Sequence, residues 1–177
     1  MAGNGEWRTP EEIFAICSEA WGPIGLDAAA SHDNFMGGQK FITAEEDGLR
    51  VDWGDRIGGL PKVTKWAAWV NPPFRNLIKW VEKSIREADA GLQVIMLLPN
   101  DTDTRWFRKL MSRSEMYITR GRIRFLDPEG RGRSHPRQGH IVSVLRPPVT
   151  GLIRPTGILG SIRASHKKKE VTTEALL

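Results

Sequence analysis

The chain has 177 residues, 40% apolar and 27% charged, the make-up of one ordinary folded domain with an extension rather than a disordered or fibrous chain. Its one cysteine, Cys17, excludes a disulfide framework and any site built from several thiolates. No wholly apolar run exceeds five residues, as at 94–98, far below the roughly 18–20 residues of a membrane span. The first residues lack the apolar stretch of a signal peptide, so a reducing, cytoplasmic setting is expected.

The net charge of +5 is unevenly spread. Residues 1–119 carry 14 Lys+Arg against 17 Asp+Glu, whereas residues 120–169 carry 12 against 2. A mildly acidic body joined to a strongly basic stretch points to a polyanionic partner, because clustered cations release counterions from phosphates.

The first element expected is a helix. Thr9 is a good N-cap, Pro10 suits the first turn, Glu12 completes a capping box, and Ile13, Phe14, Cys17, Ala20 and Trp21 recur at helical spacing. Gly22-Pro23 stops it, and residues 24–27 read as a short buried strand ending at Asp27. A loop over 31–38 leads to a second short strand at 40–43, and residues 47–62 read as turn and loop. Residues 66–70 form a buried strand running into Asn71-Pro72-Pro73-Phe74; Leu77, Trp80, Val81, Ile85 and Ala88 then mark an amphipathic helix that Gly91 ends.

Residues 92–98 are the clearest buried strand. A further helix carries Trp106, Phe107, Leu110 and Met111, with Thr102 or Asp103 as its cap. Three β-like runs follow, at 116–119, 122–126 and 139–145, and in the second Arg122 and Arg124 alternate with Ile123 and Phe125. This order predicts an α/β doubly wound sheet, mostly parallel with an antiparallel edge. Residues 147–177 lose periodicity and read as a basic, flexible tail on a domain spanning 1–146. His32, His135, His140 and His166 show no ligand spacing, so no metal is expected.

In an open α/β sheet, ligands sit beyond the carboxyl ends of the strands. Asn71-Pro72-Pro73-Phe74 stands at such an end and suits the holding of a planar primary amine. The Asn71 amide oxygen and the Pro72 carbonyl are two acceptors for one NH2 group. The two prolines stiffen their geometry, and Phe74 offers a face for a heterocycle. With both N–H bonds held, the nitrogen lone pair is free to attack an electrophilic methyl group.

The sequence resembles the small phage-type, Dam-like DNA N6-adenine methyltransferases that use S-adenosylmethionine. The matching segments are Trp7-x-Thr9-Pro10-Glu11, Leu26-Asp27 with the small residues to Ser31, Asp47-Gly48-Leu49, Asp52-Trp53, Val70 to Phe74, the run from Leu97 to Phe107, and Gly121 to Phe125. The resemblance implies a Rossmann-like S-adenosylmethionine-dependent fold acting on double-stranded DNA. It implies that Asn71, Pro72, Pro73 and Phe74 receive an adenine flipped from the duplex. Thr9, Pro10 and Asp27 would lie by the methionine part of the cofactor, and Asp47 or Asp52 by its adenosine end. Glu45 and Glu46 are weaker candidates for the ribose. Where many methyltransferases carry Gly-x-Gly, this chain has Ala28, Ala29 and Ala30. Arg122, Arg124, Arg131, Arg133 and Arg137 are the candidate DNA contacts. The alternatives are an RNA-adenine or protein-glutamine methyltransferase, or a non-catalytic DNA-binding module of the same fold.

Overall fold

The computed structural model describes residues 8–33, 40–60, 65–127, 130–132, 138–148 and 157–163. Helix α1 (Glu11–Trp21) leads into β1 (Ile24–Asp27) and β2 (Lys40–Phe41). Then come α2 (Trp53–Ile57), β3 (Ala67–Val70), α3 (Leu77–Asp89), β4 (Gln93–Pro99), α4 (Arg105–Met111), β5 (Glu115–Arg120), β6 (His140–Leu145) and β7 (Gly157–Arg163). All seven strands form one sheet in the order β2-β1-β3-β4-β6-β5-β7. The first four in that order are mutually parallel. The antiparallel strand is β6, which is set between β4 and β5 and not at an edge as expected.

Burial on both faces explains the apolar run of β4, whose residues 94–99 are all buried. On one face, Ile13 and Cys17 of α1 pack on Ile24, Trp69, Ile95, Leu97, Val142 and Val144. On the other, Leu77, Trp80, Val81 and Ala88 of α3 and Phe107 and Leu110 of α4 pack on Leu26, Ala68, Val70, Met96 and Leu98. The α3 stripe is the one read from its spacing.

Several local expectations change. Pro10, not Thr9, caps α1, and no side-chain bond closes the cap. Thr104, not Thr102 or Asp103, caps α4, its Oγ1 accepting from the Phe107 amide at 3.3 Å. The stretch 53–57, expected as loop, is the short helix α2; Asp52 caps it by accepting from the Asp55 amide at 2.9 Å. Trp53 is fully buried and donates its indole N–H to the Gly48 carbonyl at 2.8 Å. A Cβ on Gly48 would collide with the Ala28 carbonyl and press on Trp80, so glycine alone lets this loop lie against the exit of β1.

Residues 122–126 do not form a strand. Leu126 pairs with Arg8 through two backbone hydrogen bonds of 2.8 and 2.9 Å, and the rest of the segment has no ladder. Its alternation still holds: Ile123 is buried while Arg122 and Arg124 are exposed. Within the stretch read as tail, β7 pairs in parallel with β5.

Candidate active site

β1, β3 and β4 finish at the same end of the sheet, with Asp27 opposite Trp69 and Val70 opposite Met96. Asn71 leaves β3 there. Its Nδ2 donates to Thr9 Oγ1 at 3.0 Å, and Thr9 is 2% exposed. This bond occupies the nitrogen side of the amide and leaves Oδ1 as its acceptor. Pro72 is buried and Pro73 is exposed. Phe74 is 55% exposed; among the described residues only it and Met111 are large apolar side chains in that state. A phenyl ring beside a rigid acceptor pair, turned to solvent, is what a stacking platform requires.

Asp27 closes β1 and is almost wholly buried. Its Oδ1 accepts from the Ala29 amide at 3.0 Å. Burial raises its pKa to about 7, the amide bond only partly opposing this. No cation reaches ion-pair distance of it among the described residues. A buried carboxylate of this kind favours a cationic ligand. Ala28 and Ala29 turn without positive φ, so this exit from β1 does not require the Gly-x-Gly seen elsewhere. Gly37 and Gly38 fall outside the described residues.

Asp47 adopts φ 62°. Its Oδ1 accepts from the Leu49 amide at 3.1 Å and its Oδ2 meets Arg50 Nε at 3.3 Å, so both oxygens are engaged locally. Asp52 spends Oδ1 on the α2 cap. Glu45, just past β2, lies 2.9 Å from His32 Nε2, and its carboxyl is held below the usual range, chiefly by its own backbone amide. Glu46 is held low by Arg56.

Past β5, Arg131 is pinned to Asp127 by its backbone amide at 2.8 Å and by Nε at 2.9 Å, and its side chain stays largely exposed. Arg133 and Arg137 fall outside the described residues. His140, at the start of β6 and opposite Pro99, is buried against the Phe125 ring at 4.9 Å between centroids. Its Nδ1 has no partner among the described residues, and burial lowers its pKa to about 4. The described residues hold no group of three metal-ligating side chains, and none of their helices is long and apolar enough to cross a membrane.

The Thr9–Asn71 bond is what sequence reasoning missed. The two residues are 62 positions apart, and the local signal at Thr9 pointed to helix capping instead.

A sequence model described as DNA N-6-adenine-methyltransferase (Dam) matches residues 2–174. The chain is 27% identical over 167 residues to the DNA N-6-adenine-methyltransferase of Escherichia phage T1, covering 85% of this chain and 66% of that one, just under two thirds of its length. It is 27% identical over 172 residues to the protein of the same name from Haemophilus phage HP1, covering 93% and 89%. A solved structure of a predicted O-methyltransferase from Agrobacterium tumefaciens overlaps 76% of this chain and 62% of its own at 16% identity. Its TM-score of 0.39 is too low to bear on the reading.

Proposed function

We propose, for a chain that belongs to the DNA N-6-adenine-methyltransferase (Dam) family, that Asn71, Pro72, Pro73 and Phe74 receive a flipped adenine and position its N6 amine for methylation in DNA. The observation that carries this reading is the Asn71–Thr9 hydrogen bond. It orients the amide so that Asn71 Oδ1 and the Pro72 carbonyl accept the two N–H bonds of one amine. The lone pair then stands perpendicular to the ring, and Phe74 covers the base. The loop positions the amine and needs no strong base, because the nitrogen becomes acidic only once it carries the methyl group.

S-adenosylmethionine, when bound, supplies an electrophilic methyl group on a positively charged sulfur. Asp27 suits that ligand, as a buried carboxylate with a raised pKa is stabilised by the ligand's ammonium group. Thr9 accepts from Asn71 and keeps its own hydroxyl proton to donate, which joins the amine-holding and cofactor sides of the site; Pro10 sets the start of α1 beside it. Of the two candidates for the adenosine end, Asp52 fits better than Asp47, since its cap bond engages one oxygen and Asp47 uses both. Glu45, just past β2 at the same sheet end, is the candidate for the ribose hydroxyls. Arg122, Arg124 and Arg131, continued by Arg133 and Arg137, contact the DNA backbone, and the setting is the cytoplasm in which that DNA lies.

The test is methylation of duplex DNA by the purified chain, read as N6-methyladenine by mass spectrometry, beside the variant Asn71→Ala. The variant is expected to bind the cofactor normally by calorimetry and to lose turnover by about 10²–10³-fold, the effect of removing one preorganised charge-stabilising contact. Wild-type turnover in Asn71→Ala would overturn the assigned role.

A further inference from the structure

Among the described residues, exposed cations near the ends of β3 and β4 stand apart from those past β5. Arg75 directly follows Phe74, Lys79 stands in the first turn of α3, and Arg105 opens α4; all three are exposed. Since β3 and β4 are parallel neighbours in register, the loops entering α3 and α4 leave the sheet at the same end, beside Asn71.

Charge is sorted along these two helices. Farther from that end, two of the cations meet acids: Lys109 Nζ lies 2.7 Å from Glu82 Oε1, and Arg113 pairs with Asp89, while Arg86 and Arg108 stay exposed. Three residues before Glu82 on α3 stands Lys79, and four before Lys109 on α4 stands Arg105. At the level nearest the site, both helices present a cation and neither presents an acid beside it. Arg75, Lys79 and Arg105 have no carboxylate within ion-pair distance among the described residues; Glu82, held by Lys109, feels the Arg105 charge only from beyond that distance. Asp101 and Asp103, in the loop before Arg105, do not reach it at that distance. Like charges gathered at one level repel one another and cost stability unless an anion joins them.

The two cationic groups also lie on opposite faces of the sheet. α3 and α4 cover one face, while Ile123, between Arg122 and Arg124, packs into the cluster on the other. Asn71 and Phe74 stand between them. Rotating a nucleotide out of a duplex costs unstacking energy and distorts the backbone on both sides of it, so phosphate contacts on both sides help to hold it out.

We infer that Arg75, Lys79 and Arg105 form a second phosphate-contacting rim, so that duplex DNA is gripped on both faces of the sheet with Phe74 between. This rests on the adenine-methylating reading of Asn71–Phe74. The experiment compares the full chain with the triple variant Arg75→Ala, Lys79→Ala, Arg105→Ala, measuring affinity for a duplex against salt concentration. Each lost contact removes about 0.9 from the slope of log affinity against log salt, so the slope flattens by about two to three units. The KM for DNA rises more than kcat falls, and cofactor affinity stays at the wild-type value. A charge-keeping variant, Arg75→Lys with Lys79→Arg and Arg105→Lys, retains the wild-type slope, which separates charge from folding. A wild-type slope in the triple alanine variant overturns the rim. Failure of the wild-type chain to methylate duplex adenine, with the slope responding as expected, overturns the reading of Asn71–Phe74 and leaves the rim standing.

Discussion

At the ends of β1 and β3, polar groups are held by other polar groups: the Asn71 amide by Thr9, the Asp27 carboxylate by the Ala29 amide. Past β5, residues 122–125 are anchored chiefly by apolar packing, with the polar bonds of Leu126 and Asp127 farther on. Ile123 is buried in the core, the Phe125 ring lies against His140, and Arg122 and Arg124 stay outside. The first arrangement aims individual atoms, and each of its bonds contributes only about 0.5–1.5 kcal/mol net. The second tolerates variation in aim but carries more stability, since truncating a buried isoleucine costs about 2–5 kcal/mol. The first kind of support suits the amine-holding role proposed for Asn71–Phe74. The second suffices for the charge-offering role proposed for Arg122 and Arg124.

This contrast is open to direct attack. Ile123→Ala should lower unfolding free energy by about 2–5 kcal/mol in urea titration, with cofactor affinity unchanged under conditions where the variant is folded. A loss below about 1 kcal/mol would mean that the segment is not anchored by this side chain. Thr9→Val keeps the shape of the side chain and removes the acceptor. It should cut turnover by up to about tenfold, the net worth of one hydrogen bond, while cofactor affinity and melting temperature move little. Should melting fall and turnover hold, Thr9 would be a structural residue and not a positioning one.

The smallest net effect expected in the wild type is its acid response, because the two halves respond in opposite directions. Asp27, raised to about 7 from 3.8, binds its proton more tightly in the folded chain. Its contribution therefore lowers stability as pH rises through that window. His140, lowered to about 4 from 6.5, binds its proton more tightly in the unfolded chain, so its contribution raises stability as pH rises from about 4 to 6.5. The two oppose each other where the windows overlap. Urea unfolding at pH 4.5 and 6.5 should show stability rising more steeply with pH in Asp27→Asn, and rising less or falling in His140→Phe. Identical pH profiles in both variants and the wild type would show that neither group is desolvated in the folded state.

What the sequence determined by itself is what consecutive residues can carry. The run at 94–98 announced β4 because burial on both faces asks only for apolar side chains. The stripe of Leu77, Trp80, Val81 and Ala88 announced α3, and Asn71-Pro72-Pro73-Phe74 was legible because acceptors, stiffness and stacking face lie side by side. Tertiary structure decided what depends on distant partners. Thr9 looked like a cap, but Pro10 took that place and the hydroxyl met Asn71 instead. The five residues of α2 are too few to hold a helix alone; Trp53, buried against Trp80, and the Asp52 cap hold them in place. Alternation at 122–126 assigned faces correctly but could not supply a neighbouring strand, and only Leu126 paired, through isolated bridges to Arg8 and Gly132. The strand β7 was invisible because its order comes from the ladder to β5. Local sequence sets which groups a segment offers and how stiffly, but which atoms meet is set by loop closure and burial over the whole chain, and these leave no mark on either partner's neighbours.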